Sequence, residues 1–249
     1  MNNAVVLMIY NRTPAQHALT ISAVESALAQ DIPIDLFLIN NGSTYAPTRA
    51  WLDSIAADNI AIHHYPHNVS PIKLGNDWMA NLYSLGYPYI LGLPNDVIIP
   101  SNLYREFLKW PRGVVTGSMT SDPNFLRFEK STAMNTCTPM AVALVRRWAW
   151  EALTTKDGHF FDPKFFLYAS DCCVALRLAA CGIVGIQLDL QYWHSCSASW
   201  RLSTPDYIEK GSRQADADRA YFEKKYGFKV DSPRYSESAA DINFKAETI

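Results

Sequence analysis

The chain has 249 residues, 49% hydrophobic and 18% charged, with a formal net charge of -2. That profile excludes a disordered chain, which combines low hydrophobicity with high net charge. It also argues against a protein that coats nucleic acid, because nonspecific phosphate binding needs a concentrated excess of Lys and Arg. No window holds the roughly 20 successive apolar residues that cross a bilayer, so no membrane span is expected. The opening MNNAVVLMIY lacks a cationic start and a small-residue cleavage site and reads as a strand, not a leader. Five cysteines, an odd number scattered through apolar segments, fit a reducing compartment, and the expected location is the cytoplasm.

Apolar runs alternate with helical patterns along the first hundred residues, the sequence form of a sheet built from βα units. Residues 4–9 predict a buried strand, 15–29 a helix that Pro14 can open, and 34–39 a second strand ending in Asn40-Asn41-Gly42-Ser43. A helix over 48–57, a short strand over 60–64 and a helix over 74–85 follow. Residues 89–93 then predict a third long strand, which ends at Pro94-Asn95-Asp96. Beyond it come a strand over 114–118, loop over 120–136, a strand over 140–145 and a helix over 147–153. Ser170 reads as the cap of a helix closed by Gly182. A strand over 184–190 and a charged amphipathic helix over 216–226 complete the pattern, and the polar residues past Phe228 read as a poorly ordered tail. No repeat or linker interrupts the chain, so one continuous α/β domain is expected.

In an open α/β sheet, ligands bind beyond the carboxyl ends of the strands. Here those ends carry Tyr10-Asn11-Arg12, Asn40-Asn41-Gly42-Ser43 and Asn95-Asp96, groups suited to reading a nucleotide base and ribose. Neither G-x-G-x-x-G nor G-x-x-x-x-G-K-[ST] occurs, which removes most support for a dinucleotide-binding dehydrogenase or a phosphate-loop enzyme.

The ordered set VVLMIYNR, LFLINNGST, YILGLPNDVIIP, AVALVRRWAWEAL, FFDPKFFLYASDCCVALRLAACG, YWHS and AYFEKKYG resembles the family 2 glycosyltransferases of the GT-A fold. The resemblance spans nearly the whole chain. It implies a mixed, mostly parallel central sheet flanked by helices, with a nucleotide-binding half over 1–96, an acceptor and catalytic half over 97–228 and a polar tail over 229–249. It also implies transfer of a sugar from a nucleoside diphosphate donor to an acceptor hydroxyl, usually with inversion, the acceptor being a glycan, a lipid-linked sugar or a modified DNA base.

A departing diphosphate gathers negative charge that a divalent ion can stabilise as a Lewis acid, and oxygen ligands suit Mg²⁺ or Mn²⁺ for that task. Asp96 matches the last carboxylate of the family's Asp-x-Asp motif, while Pro94 stands in place of the first acid and Asn95 in the middle. His194 matches a histidine that reaches the metal or diphosphate, and imidazole suits Mn²⁺. Asp171 matches the acid that serves as general base, a carboxylate able to take the acceptor's proton as its oxygen attacks; Ser170 stands where a neighbouring acid is usual. Asn40 takes the place of a base-reading aspartate, Asn76 matches an asparagine near the nucleotide, and Arg201 falls in a loop, 195–201, that would close on the diphosphate. Read structurally, Asn95-Asp96 is a strand-end turn, Asp171 an acid favoured by a helix dipole and His194 a hydrogen-bonded core residue. Cys172, Cys173, His194 and Cys196 lack the spacing of a structural zinc site, and His63, His64 and His67 are read as surface or turn residues with no acid nearby. The loss of acids at positions 40, 94 and 170 also leaves a reading as a non-catalytic sugar-nucleotide or glycan-binding module.

Overall fold

The computed structural model describes residues 3–120, 133–135, 141–183, 185–195 and 202–230. The chain opens with strand β1 (Asn3–Ile9), helix α1 (Pro14–Leu28), β2 (Ile34–Asn41), α2 (Ala46–Ser54), β3 (Ile60–Tyr65), α3 (Pro71–Ser84) and β4 (Tyr89–Pro94). It continues through β5 (Val97–Ile98), α4 (Leu103–Leu108), β6 (Val114–Thr120), β7 (Ala133–Asn135), β8 (Ala143–Arg146) and α5 (Arg147–Asp157). Helix α6 (Ser170–Ala180), β9 (Gly185–His194) and α7 (Pro205–Tyr226) follow. Among the described residues no helix is long and apolar enough to cross a membrane.

The strands form one mixed sheet in the order β3-β2-β1-β4-β8-β6-β9-β5, with β7 beside β9. From β3 to β4 every pairing is parallel, while β8 runs antiparallel to both β4 and β6, and β6 runs parallel to β9. Strand β1 explains why the sheet has two covered faces. Its side chains alternate sides: Val5, Leu7 and Ile9 join a core with Ala23, Val24 and Ala27 of α1 and Tyr104 and Phe107 of α4. Ala4 and Val6 join another with Leu82 and Tyr83 of α3, Leu153 of α5 and Val174 and Leu178 of α6. A third cluster, including Phe165, Cys173, Leu176 and Phe222, docks α7 on α6. Burying a Leu, Ile or Phe side chain is worth about 1.5–3 kcal/mol, so these faces fix which way each strand presents its ends.

Helix starts depart most from sequence expectation. Thr13 caps α1 through a capping box with Gln16, as Pro14 foreshadowed. Helix α3 begins at Pro71, a turn earlier than expected, and α7 begins at Pro205, eleven residues before residue 216. Thr204-Pro205-Asp206 carries the usual N-terminal grammar of cap, Pro and acid, but Gly211 and Ser212 interrupt the pattern that follows. Strand β9 runs on to His194, past residue 190, and β7 falls inside the expected loop. Phe228 and Val230 pack against the third cluster, so the tail is anchored at its start; residues 231–249 lie outside the described residues.

Candidate active site

The strand order reverses direction at β1: the chain steps outward to β2 and β3, then returns to place β4 on β1's other side. Such a switch point leaves a crevice at the strands' carboxyl ends, here between Tyr10-Asn11-Arg12 and Asn95-Asp96. The crevice floor is a buried amide network. Asn95 Nδ2 donates to Asn11 Oδ1 and to Thr20 Oγ, both at 3.0 Å, and Asn11 Nδ2 donates to Thr48 Oγ at 3.3 Å. The Asn11 N–H donates to Ser43 Oγ at 2.9 Å, and its carbonyl accepts from Thr44 and Tyr45 N–H. Asn11 is wholly buried and Asn95 nearly so. Their side chains therefore tie the ends of β1 and β4 to each other and to α1 and α2, while the Asn11 backbone holds the turn after β2; the sequence reading had them contact a nucleotide.

The end of β2 is built the same way. Asn40 Oδ1 accepts from Ser43 N–H at 3.1 Å, which turns its Nδ2 toward His64 Nδ1 at 2.9 Å. An amide donor there requires Nδ1 to accept, so Nε2 carries the hydrogen and donates to Asp53 Oδ1, also at 2.9 Å. This corrects one expectation, since His64 does have an acid beside it, and it gives Asn40 a part in a structural relay. Asn41 is likewise satisfied, exchanging hydrogen bonds of 2.8 Å with the Val69 N–H and carbonyl and donating to Asn68 Oδ1 at 3.1 Å. Gly42 permits this packing. Its φ is +71°, and a Cβ there would lie 2.4 Å from the His67 carbonyl carbon.

Tyr10 and Arg12 face an open cleft of about 350 Å³. Its other wall is the start of α7, with Asp206, Tyr207, Lys210, Gly211 and Gln214, joined by Asn68 and Phe166. The Tyr10 and Tyr207 rings lie 5.6 Å apart, the Arg12 guanidinium sits 4.8 Å over the Tyr207 ring, and Asp206 reaches Arg12 at 3.9 Å. Burial, with Tyr10 adding to it, pushes the Tyr207 phenol up. Sequence reasoning missed this wall entirely, because it had α7 begin beyond it.

Asp96 stands in the turn between β4 and β5. The register Val97↔His194 in the β5–β9 pair brings His194 alongside it, with Nε2 at 3.2 Å from Asp96 Oδ1. Ser195 N–H donates to the Asp96 carbonyl at 3.2 Å. Gly117 helps β9 to come this close: it sits at a register shift in β6, and a Cβ there would lie 2.5 Å from the Leu190 carbonyl. Asp96 is buried, and His194 is partly open. One carboxylate and one imidazole converging at a strand end fit an ion that completes its shell with phosphate oxygens. Among the described residues no three His, Cys, Asp or Glu side chains gather at one point. Cys172 and Cys173 pack in the third cluster, and Cys196 and Arg201 lie outside the described residues.

Asp171 sits in the first turn of α6, where free N–H groups and the helix dipole favour an ionised carboxylate. Its Oδ1 accepts from Cys172 N–H at 2.9 Å. Ser170 is not the cap: its hydroxyl donates backward to the Leu167 carbonyl at 2.7 Å, and the cap position falls on Ala169, whose φ of +55° is the only positive value outside glycine among the described residues. A left-handed alanine needs its surroundings to hold it. The aromatic loop before it is gripped at both ends. Asn76 accepts from Phe160 and Phe161 N–H at 3.2 and 2.8 Å and donates to the Phe161 carbonyl at 2.8 Å, so this side chain positions a loop. Arg177 donates to the carbonyls of His159 and Phe160 and pairs with Asp157. Asp162 accepts from Lys225 Nζ at 2.7 Å and from the Tyr221 hydroxyl at 3.0 Å. Asp218, buried on α7, accepts the backbone N–H groups of Phe166, Leu167 and Tyr168.

The sequence matches no protein-family model and no curated protein. Solved structures are similar in fold. Staphylococcus aureus TarS 1–349 in complex with UDP superposes with a TM-score of 0.58 at 12% identity, covering 99% of this chain and 71% of that one. Its complex with UDP-GlcNAc gives 0.58 at 13%, with 99% and 80% covered. The mannosyltransferase PcManGT from Pyrobaculum calidifontis, in complex with GDP-Man and Mn²⁺, gives 0.57 at 16%, with 99% and 75% covered. With the switch-point crevice and the acid that closes β4, these likenesses establish that the chain has the GT-A fold.

Proposed function

We propose that this protein is an inverting glycosyltransferase that moves a sugar from a nucleoside diphosphate donor to an acceptor hydroxyl. The observation that carries the reading is the Asp96–His194 pair beside the crevice where β1 and β4 part. Structures of the same fold hold UDP, UDP-GlcNAc, or GDP-Man with Mn²⁺, which supports a nucleotide-sugar donor.

In this reading Tyr10 and Arg12 line the donor's seat, and Asn11, Asn40, Asn41 and Asn95 keep the strand ends that form it in register. Arg12 supplies positive charge at the cleft. Asp96 and His194 would hold Mn²⁺ or Mg²⁺, which when bound offsets the charge that builds on the departing diphosphate. Asp171 receives the proton of the acceptor hydroxyl as that oxygen attacks the anomeric carbon, so the nucleophile strengthens without forming a cationic product oxygen. The new C–O bond forms on the face opposite the breaking bond to the diphosphate oxygen, and one displacement inverts the centre. The acceptor is a hydroxyl on a glycan, a lipid-linked sugar or a modified DNA base.

Release of nucleoside diphosphate from a panel of nucleotide sugars, with and without Mn²⁺, tests the proposal. Metal-dependent release from at least one donor is expected. Donor binding without turnover across many acceptors would instead make the protein a sugar-nucleotide-binding module.

A further inference from the structure

We infer that helix α7 couples the donor cleft to the catalytic loop, and that Asp218 is the positioning residue through which it does so. The inference rests on reading Asp171 as the base and goes on to name what holds that base in place.

Four residues form a continuous stripe on α7. Tyr207, Gly211, Gln214 and Asp218 are spaced by four, three and four residues, the separation that keeps positions on one helical face. The first three line the donor cleft. The fourth lies about 16 Å along the axis from the first, at about 1.5 Å rise per residue, and meets the loop that leads into α6. Asp218 Oδ1 accepts from Phe166 N–H at 3.0 Å and from Gln214 Nε2 at 3.2 Å; Oδ2 accepts from Leu167 and Tyr168 N–H at 2.9 and 2.8 Å. Both oxygens of a buried carboxylate are thus fully used. Phe166 and Gln214 belong to the cleft as well, so the same carboxylate touches the donor wall and the catalytic loop.

The three amides that Asp218 gathers immediately precede left-handed Ala169, then Ser170 and Asp171. Ser170 locks back onto Leu167, itself one of the three residues held. Conformational strain at residue 169 persists only while neighbours over-determine it, and Asp218 supplies that constraint. Its loss would let the start of α6 relax and carry Asp171 away from the acceptor.

Asp218→Asn tests this with little change in volume, because an amide offers one acceptor oxygen and presents N–H groups where the second was. With UDP-GlcNAc or GDP-mannose plus Mn²⁺ and diphosphate release as the readout, kcat is expected to fall roughly 10- to 100-fold, as a misplacement near 1 Å can produce, with KM within about threefold. Adding Asp218→Asn to Asp171→Asn should cost nothing further, since a residue acting only through the base has no effect once the base is gone. Multiplied losses in the double variant, or a raised KM with kcat intact, would overturn the proposal. Near-wild-type turnover of Asp171→Asn would remove the base assignment and this inference with it, whereas an impaired Asp171→Asn beside a fully active Asp218→Asn would remove this inference alone. If Asp218→Asn does not fold, Gln214→Leu replaces it. A smaller fall in kcat, absent from the Asp171→Asn background, is expected, and an unchanged kcat counts against the coupling. If neither donor is turned over, hydrogen exchange decides: faster exchange across residues 166–172 in Asp218→Asn supports the inference, and wild-type protection there overturns it.

Discussion

The two halves of the candidate active site are held together by different chemistry. Where β1, β2 and β4 end, the clamps are neutral amides: Asn11, Asn40 and Asn41 each spend donor and acceptor atoms on neighbouring backbone or side chains, and Asn95 spends its donor on Asn11 and Thr20. Around the loop that leads into α6, the clamps include carboxylates and a guanidinium: Asp162, Asp218 and Arg177. Asn11, Asn41 and Asn95 meet amides, hydroxyls and backbone, so their clamps hold across the pH range, whereas the Asn40 clamp needs a neutral His64 ring and a carboxylate clamp lasts only while it is ionised. The proposed donor side is therefore a largely neutral frame with one imidazole in it, and the proposed catalytic side one that acid can loosen.

The comparison breaks most sharply at the chemistry itself. Asp171→Asn should lower turnover about 10²- to 10⁴-fold, the range for removing a general base, with donor affinity unchanged by calorimetry. A parallel loss of donor affinity would show that the two halves are not separable in this way.

Asn11→Ala tests the neutral frame. It removes three buried hydrogen bonds, each worth about 0.5–1.5 kcal/mol, while Thr20, Thr48 and Asn95 keep partners in Gln16, His17 and Thr20, so a loss of about 2–3 kcal/mol in urea unfolding is expected. The loss should be constant between about pH 7 and 8, where His17, 3.3 Å from Thr48 Oγ and with its pKa lowered by burial, stays neutral.

Asp162→Asn tests the charged frame. Burial alone would raise the Asp162 carboxyl, but hydrogen bonds from Lys225, the Lys164 backbone and Tyr221 outweigh it and hold the acid below its ordinary value. A depressed folded pKa means that the stabilisation is present above the unfolded value and is lost as pH falls through the lower folded one. Burial would lower the Lys225 ammonium, yet Asp162 and its neighbours hold it raised, so its share is lost only as alkaline pH passes that raised value. Wild type should exceed Asp162→Asn by about 1–2 kcal/mol at neutral pH, and the two should converge in acid below about pH 4. A gap unchanged in acid would mean that Asp162 acts by shape instead of charge. The smallest effect belongs to Asp206→Ala, whose exposed pairing with Arg12 is screened by solvent, so the urea-unfolding midpoint should not move measurably.

Much of the fold was legible because its strands are apolar on both faces and its first helix carries a full capping grammar, at Ala4 to Ile9 and at Thr13 to Gln16. The pairing of Asp96 with His194 could be anticipated only through family resemblance, since nothing local to either residue encodes the register Val97↔His194. The asparagines stand at the strand ends the sequence indicated, and their hydrogen bonds to the frame were not foreseen. Sequence shows that an amide is present and not whether buried neighbours already satisfy it. The α7 wall was missed for a local reason, Gly211 and Ser212 obscuring the helix that Thr204-Pro205 opens, and Asp218 was missed because its partners are backbone N–H groups about 50 residues away, which carry no side-chain signature.

The account rests on a donor diphosphate and a metal meeting at Asp96. Calorimetric titration of UDP and of GDP into the protein, with and without Mn²⁺ and repeated on Asp96→Ala, tests this directly. The account predicts that one nucleotide binds with Mn²⁺, and that omitting the metal or removing the carboxylate weakens it at least about tenfold, or about 1.4 kcal/mol. Binding indifferent to both Mn²⁺ and Asp96→Ala, or no binding of either nucleotide, would contradict it.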